Sequence, residues 1–382
     1  MDRAGILRKY REESYIDYSL IFIILFLLAF GLIMLYSTSS YEAGLDFGDS
    51  AYYFKHQLVP TLLGLAVMVG VSYVPYRILA RLAMPIYMIS AALLVMIIPF
   101  GVTINGAKRW LRFMGISIQP AEVAKAAVII FTATIIIKLK RNLVTLKGFG
   151  TAMLFPTILA GMVYIITRNL SSAIIIMGIA IVMMFISTPG YKRYVLAGVS
   201  VLAMAAALVL IIANSKQASG MSYRFERVQA WLDPAAYASG KGFQTLQALY
   251  AIGSGGVFGK GLGESMQKMG FIPEAQNDMI FSIICEELGL FGAIAVMLMF
   301  LLLIWRLMII ANNAPDMFGA LLVIGVMGHI SIQVILNIAV VTNTIPNTGI
   351  TLPFISYGGS AVIIQLAEIG ISLNVARNIG RE

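Results

Sequence analysis

Charge is what this chain lacks most. Only 12% of its 382 residues are Asp, Glu, Lys or Arg, whereas 59% are hydrophobic. Soluble domains carry about 25% charged residues, so composition excludes an ordinary water-soluble protein. Cysteine is nearly missing: Cys285 stands alone in an apolar run, which rules out an intramolecular disulfide. The two histidines, His56 and His329, lie far apart and argue against a His-built metal site. No strong internal repeat, low-complexity tract or soluble domain is visible. The basic start (Arg3, Arg8, Lys9, Arg11) precedes an apolar run too long for a signal-peptide core, and no small-residue cleavage site follows.

What the chain has is apolar length. Runs of 18 or more residues recur, each able to cross a hydrocarbon layer of about 30 Å. They do not alternate as the strands of a membrane barrel do. The reading is an all-α polytopic membrane protein, a single bundle of about ten helices. The expected spans are roughly 17–39, 57–74, 82–100, 120–137, 149–166, 170–187, 195–214, 279–308, 317–341 and 354–376. An even number puts both termini on one side, and Lys and Arg choose the side. Segments on the terminal side hold 15 basic residues and short loops on the other side hold 5. Both termini are therefore expected in the cytoplasm. The long loop 215–278 is expected outside, exempt from the bias by its length. The net charge of +9 reads as orientation and contact with anionic lipids rather than as nucleic-acid binding.

Several outer segments carry polar residues that a bilayer makes costly. After span three, Lys108, Arg109 and Arg112 oppose the orientation bias. They read either as headgroup anchors beside Trp110 and Phe113 or as an anion site. Span four opens with Pro120, and Glu122 and Lys125 follow at i and i+3. They form either a charge-neutralising salt bridge or one wall of a polar substrate cavity. Arg224, Arg227, Trp231 and the run 243–252 suggest ordered, amphipathic pieces within the long loop. Residues 253–263, GSGGVFGKGLG, fail the nucleotide-loop pattern: Ser254 replaces its first glycine, and Gly261 its Ser or Thr. Those glycines are a hinge or an anion nest. Asp278 follows, read from the sequence as an N-cap of span eight. Glu286 and Glu287 lie about 12 Å further along the helix, as a structural network, a proton path or a cavity wall. His329, Gln333 and Asn337 form a stripe on one face of span nine, suited to hydrogen bonds between helices. The last outer loop holds Pro346, Pro353 and Gly358-Gly359, an irregular backbone that must be covered by protein or water.

Together these pieces resemble the SEDS family (shape, elongation, division and sporulation) over nearly the whole chain and in order. The resemblance rests on Asn105-Gly106-Ala107 with Arg109-Trp110, Gln119-Pro120-Ala121-Glu122 with Lys125, and Gly242-Phe243-Gln244. It continues through Ala251–Gly256, Gly259-Lys260-Gly261, Pro273-Glu274, Asp278, Ile280-Phe281 and Glu286–Gly289, and ends in Leu352-Pro353 and Ser356–Ser360. Residues 261–268 and 348–354 look more like the division and sporulation branch (FtsW-like) than the elongation branch (RodA-like). One departure is Gln276-Asn277-Asp278-Met279, where the family has His-Thr-Asp-Phe.

The resemblance implies a peptidoglycan glycosyltransferase of the bacterial cytoplasmic membrane. It would polymerise lipid II during cell division, beside a class B penicillin-binding protein (a transpeptidase) and other division proteins. Family position gives Asp278 the role of general base. The pyrophosphate that leaves in such a reaction needs cations, and the candidates are Arg109, Lys125, Lys260 and Lys268, with Arg224; Glu122 is expected to orient Lys125, Glu274 to support the loop, and Ser356 to complete the substrate-binding set. The resemblance also implies some dependence on a divalent cation, Mg or Mn, although no metal cage is readable. The competing readings are a lipid II flippase and a non-catalytic division scaffold. A flippase would need polar residues leading from both faces, whereas these cluster on one.

Overall fold

The computed structural model describes residues 16–104, 107–113, 116–190, 192–214, 223–240 and 242–379. The basic N-terminal start and Asn105-Gly106 lie outside them. Ten long helices occupy the ten expected positions. They are α1 (Tyr18–Phe47), α2 (Tyr52–Tyr73), α3 (Arg77–Phe100), α4 (Pro120–Leu139), α5 (Leu146–Thr167), α6 (Leu170–Ser187), α7 (Lys192–Asn214), α10 (Ile280–Asn312), α11 (Met317–Val341) and α12 (Gly359–Arg377). Two shorter helices, α8 (Tyr223–Leu232) and α9 (Phe243–Ser254), lie within the long loop. Among the described residues nine helices are long and apolar enough to cross a membrane. Large apolar side chains such as Phe22, Leu62, Ile98, Ile165 and Leu301 remain on the surface, as a lipid-facing bundle requires.

Three helices make the centre. The apolar windows of α4, α11 and α12 are 78%, 67% and 72% buried, against 22% for α2 and 28% for α3. The central helices also enclose polar residues, including Glu122, Lys125, His329, Gln333, Asn337 and Glu368. Lipid is thus met by apolar side chains while polar groups meet one another.

The segment after α3 is a small antiparallel sheet of three strands: β1 (Gly101–Ile104), β2 (Ala107–Phe113) and β3 (Ile116–Ile118). Gly101 pairs with Leu111, and Leu111 with Ile118. In sequence this stretch has the character of a loop, because its strands are too short for alternation to stand out. The sheet, the 167–169 turn, α8, α9 and the 342–358 segment gather at one end of the bundle, here called the loop end. Hydrogen bonds join them: Gln119 N–H to Ser360 Oγ, Ser171 Oγ to Thr348 O, and Trp231 Nε1 to Asn343 O.

Helix α10 is broken at Gly289 (φ 66°, ψ −164°). Its first part, Ile280–Leu288, is enclosed by protein. Every residue from Ile280 to Glu287 is buried. The remaining part, about 36 Å long at 1.5 Å per residue, suffices to cross a bilayer alone. A break leaves backbone groups without partners, and the glycine-rich segment supplies them. Lys260 N–H donates to Glu286 O (3.0 Å) and Gly261 N–H to Glu287 O (2.9 Å). Leu290 N–H and Phe291 N–H donate to Gly256 O and Val257 O (3.0 and 3.1 Å). The Lys260 and Gly261 amides thus face helix carbonyls, which ties this part of the glycine segment to α10. Gly259 (φ +78°) comes so close that a Cβ there would lie 2.2 Å from Glu287 O.

Gly259→Ala should destabilise the folded protein by at least about 1–3 kcal/mol, the usual cost of such backbone strain. Gly253→Ala, in α9 with open space around the new Cβ, should be neutral or slightly stabilising. Thermal unfolding of both variants in detergent checks this. Equal behaviour would mean that the glycine segment does not brace the break.

Candidate functional site

Asp278 sits at the loop end, one residue before the N-cap of α10. That cap is Met279, and it carries no side-chain capping hydrogen bond. The N-cap role expected for Asp278 is therefore corrected: its carboxyl is not turned into the helix start. What holds the residue is Asn337 of α11. Its Nδ2 donates both to the backbone carbonyl of Asp278 (2.8 Å) and to that of Ile350 (2.6 Å). Asp278 is half-buried. Gly349 passes so near that a Cβ there would lie 3.8 Å from Asp278 Oδ2. Desolvation pushes the Asp278 carboxyl up to about 6, and the negative charge of Glu274 adds to the rise. Its own backbone amide and the Arg227 guanidinium pull the other way.

The polar stripe of α11 continues inward. Gln333 donates from Nε2 to Thr351 O (3.0 Å), which turns its Oε1 toward Lys125 Nζ (3.2 Å) and His329 Nε2 (3.0 Å). His329 Nδ1 faces Glu368 Oε2 at 2.8 Å, and both side chains are buried. Lys125 also meets Glu122 Oε1 at 2.7 Å, and both side chains are buried. The stripe is a set of bonds between α4, α11, α12 and the 348–352 segment.

Glu286 and Glu287 end the enclosed part of α10, and each has a lysine. Lys260 Nζ lies 2.7 Å from Glu286, which also accepts from Ser265 Oγ, Ser254 Oγ and the amides of Met266 and Gln267. Lys268 Nζ lies 2.7 Å from Glu287 and 3.1 Å from Ser37 Oγ of α1. The Lys268 side chain is only 5% exposed, whereas that of Lys260 is 33% exposed.

The other expected residues are dispersed over the loop end. Arg109 in β2 donates to the carbonyls of Thr167 and Arg168 at the C-terminus of α5 (3.2 and 3.4 Å), where a cation also meets the negative end of the helix dipole. Glu274 accepts from Asn277 Nδ2 (2.8 Å). Ser356 is buried, and its Oγ accepts from Leu352 N–H (2.8 Å), closing the turn before α12. Arg224 begins α8, and its side chain lies outside the described residues. Among the described residues no three His, Cys, Asp or Glu side chains converge to hold a metal ion.

The family model FTSW_RODA_SPOVE, described as "Cell cycle protein", matches residues 18–380. The chain belongs to this family. Stage V sporulation protein E of Bacillus subtilis is 38% identical over 364 residues, covering 94% of this chain and 97% of the relative. The "Probable peptidoglycan glycosyltransferase FtsW" of Trichlorobacter lovleyi is 36% identical over 377 residues, covering 98% and 96%. One similar solved chain comes from a peptidoglycan synthase complex, studied for the coordination of polymerization and crosslinking. It has TM-score 0.77 and 28% identity, over 95% of this chain and 98% of that one. The rod shape determining protein RodA of Thermus thermophilus has TM-score 0.69 and 25% identity, over 96% and 98%. The names FtsW and sporulation protein E support the division and sporulation branch of the FtsW/RodA/SpoVE family.

At the point where this family member departs from the usual His-Thr-Asp-Phe, Gln276 and Asn277, two of the three substituted residues, have hydrogen-bond partners. The Gln276 carbonyl receives Tyr357 N–H (2.9 Å), and Asn277 Nδ2 donates to Glu274 (2.8 Å). Two residues beside Asp278 were not singled out for it in the sequence. Asn337 was read only as part of a stripe, and Arg227 only as part of an amphipathic helix. No spacing rule links residue 278 to residues 59 positions later or 51 earlier.

Lys268→Met should destabilise strongly, by about 3–5 kcal/mol, because it strands the buried Glu287 charge. The pair Lys268→Met with Glu287→Leu should recover much of that loss. Thermal unfolding measures both. If Lys268→Met leaves stability unchanged but abolishes activity, the ammonium serves a ligand rather than the fold.

Proposed function

We propose that this chain polymerises lipid II into β-1,4-linked glycan strands at the outer face of the bacterial cytoplasmic membrane, with Asp278 as general base. The observation that carries this reading is the carboxyl of Asp278, fixed by its backbone at the loop end and held near pKa 6. A base near neutral pKa combines availability with driving force. The names of the relatives support the same reaction class. The distribution of 15 basic residues against 5 supports cytoplasmic termini and an outward loop end.

In the reaction, the 4-hydroxyl oxygen of the acceptor sugar attacks the anomeric carbon of the donor. The bond from that carbon to the pyrophosphate oxygen breaks, and the hydroxyl proton passes to Asp278. The donor's α configuration becomes β, so a single displacement and a single base suffice. Desolvation keeps the carboxyl basic, and Asn337 fixes the chain that bears it. Glu274 raises the basicity of Asp278 and Arg227 tempers it. Negative charge develops on the leaving pyrophosphate and calls for cations. We assign Arg109, Lys260 and Arg224 to it; Lys260 keeps a third of its side chain exposed. Lys125, oriented by Glu122 and Gln333, sets the field deeper in the same end. Lys268 braces α10, and Ser356 shapes the adjoining turn. The synthase complex that contains a similar chain supports a class B penicillin-binding protein as partner.

Asp278→Asn should fold and insert normally yet lose polymerisation of lipid II by about 10²–10⁴-fold, the usual contribution of a general base. A gel assay of glycan product from the purified protein, with and without its partner, decides. Full activity of the Asn variant would remove Asp278 from that role.

The pH profile follows from the same carboxyl. Below about pH 6 Asp278 is protonated and cannot accept the hydroxyl proton, so kcat/KM should rise with pH through about 6 and then level off. Glu274→Gln removes a neighbour that raises the pKa, so the acid limb should move to lower pH. Arg227→Gln removes a neighbour that lowers it, so the limb should move to higher pH. A limb that ignores both changes belongs to another group.

A further inference from the structure

A cleft of about 230 Å3 opens at the loop end between α8 and α9. Arg227, Trp231, Gly240, Phe243, Gln244 and Asn347 line it, with Pro273 and Thr245. Pockets for whole drug-sized ligands run about 300–1,000 Å3, so this one suits part of an extended molecule. Its lining contains two aromatic residues, two planar amides, one guanidinium and no carboxylate. Such a surface matches a sugar ring. The apolar C–H face of the ring lies on aromatic side chains, and its hydroxyl and acetamido groups meet amide donors and acceptors.

The cleft is also pre-built. Arg227 Nη1 donates to Asn347 O (3.1 Å) and Asn347 Nδ2 to Gln244 Oε1 (3.0 Å). Gln244 Nε2 reaches Pro273 O (3.2 Å), and Trp231 Nε1 reaches Asn343 O (2.9 Å). Each of the two amides thus uses one N–H on the protein and has a second to offer. The cleft shares a wall with Asp278. Asn347 lies two residues before Gly349, which borders the Asp278 carboxyl, and Pro273 begins the turn that leads into Asp278. Arg227 faces the cleft on one side and acts electrostatically on Asp278 on the other.

We propose that this cleft binds the sugar rings of the acceptor strand and presents its terminal hydroxyl to Asp278. The proposal rests on the glycosyltransferase reading above and adds a location for one of its two substrates. A pyrophosphate-bearing donor would call for several cations, and among the described residues the lining holds a single guanidinium.

The test is binding without turnover. Purified full-length protein in detergent is titrated with a soluble, uncrosslinked N-acetylglucosamine–N-acetylmuramic acid oligosaccharide that carries neither lipid nor pyrophosphate. Saturation-transfer NMR and tryptophan fluorescence read the binding. Wild type and Asp278→Asn should bind alike. Gly240→Phe should weaken binding at least tenfold. A Cβ at Gly240 has no atom nearer than 4.0 Å, so the new ring can enter the cleft without displacing the backbone. Phe243→Ala, which removes lining instead of filling space, should weaken it too. The proposal is overturned if wild type does not bind the oligosaccharide, or if both variants bind it as wild type does. It is also overturned if a short prenyl pyrophosphate displaces the oligosaccharide, which would make this the donor's leaving-group site. Oligosaccharide binding together with a fully active Asp278→Asn enzyme would refute the base assignment and leave the cleft standing.

Discussion

The break in α10 at Gly289 is the constraint on which the loop end depends. A helix interrupted at the edge of a bilayer exposes carbonyls and amides that lipid cannot satisfy. Here the 255–261 segment folds over the break and bonds the groups on both sides of it. Closing the break brings two acids of α10 against two lysines of the same loop, 2.7 Å apart in each pair. Each charge would be costly alone. Lys268 and Glu287 are nearly fully enclosed, and Ser37 of α1 completes their hydrogen bonding. The long loop is thereby anchored to the bundle rather than appended to it.

A second brace runs along α11. One helix face carries Asn337, Gln333 and His329, which hold in turn the Asp278 backbone, the 350–351 segment with Lys125, and Glu368 of α12. These residues lie where a transporter would place a polar route, but their hydrogen bonds join one helix to the next. The two braces converge on Asp278 from opposite directions. The α10 brace sets the helix that follows it, and Asn337 sets its backbone. The carboxyl is left to the space between Glu274, Gly349 and Arg227. Position, more than any special residue type, makes this aspartate basic.

Much of the fold was legible in advance. Helix α6 falls on its expected span, 170–187, and α11 on 317–341, because long, predominantly apolar runs leave few alternatives to a membrane helix. Pairing of Glu122 with Lys125 followed from their i, i+3 spacing. Other features were hidden for identifiable reasons. The strands of 101–118 are too short for their period to register. The cap assignment failed because Asp next to a helix start resembles a cap whether or not its carboxyl turns back. That Glu286 and Glu287 partner Lys260 and Lys268 could not be read from spacing, because only the fold over Gly289 brings them together.

Apolar length and the ordered motifs were enough to establish a multi-span helical membrane bundle and its family, and they pointed to Asp278. Those properties are local or additive: each is counted along the chain without knowing what touches what. Tertiary structure alone decided which cations answer which acids, that the glycines mend a broken helix, and that Asn337 and Arg227 stand beside Asp278. It also decided that a sugar-sized cleft shares its wall. The physical reason is desolvation. A charge or amide acquires its role from the groups that replace water around it, and those groups arrive from residues far away in the chain.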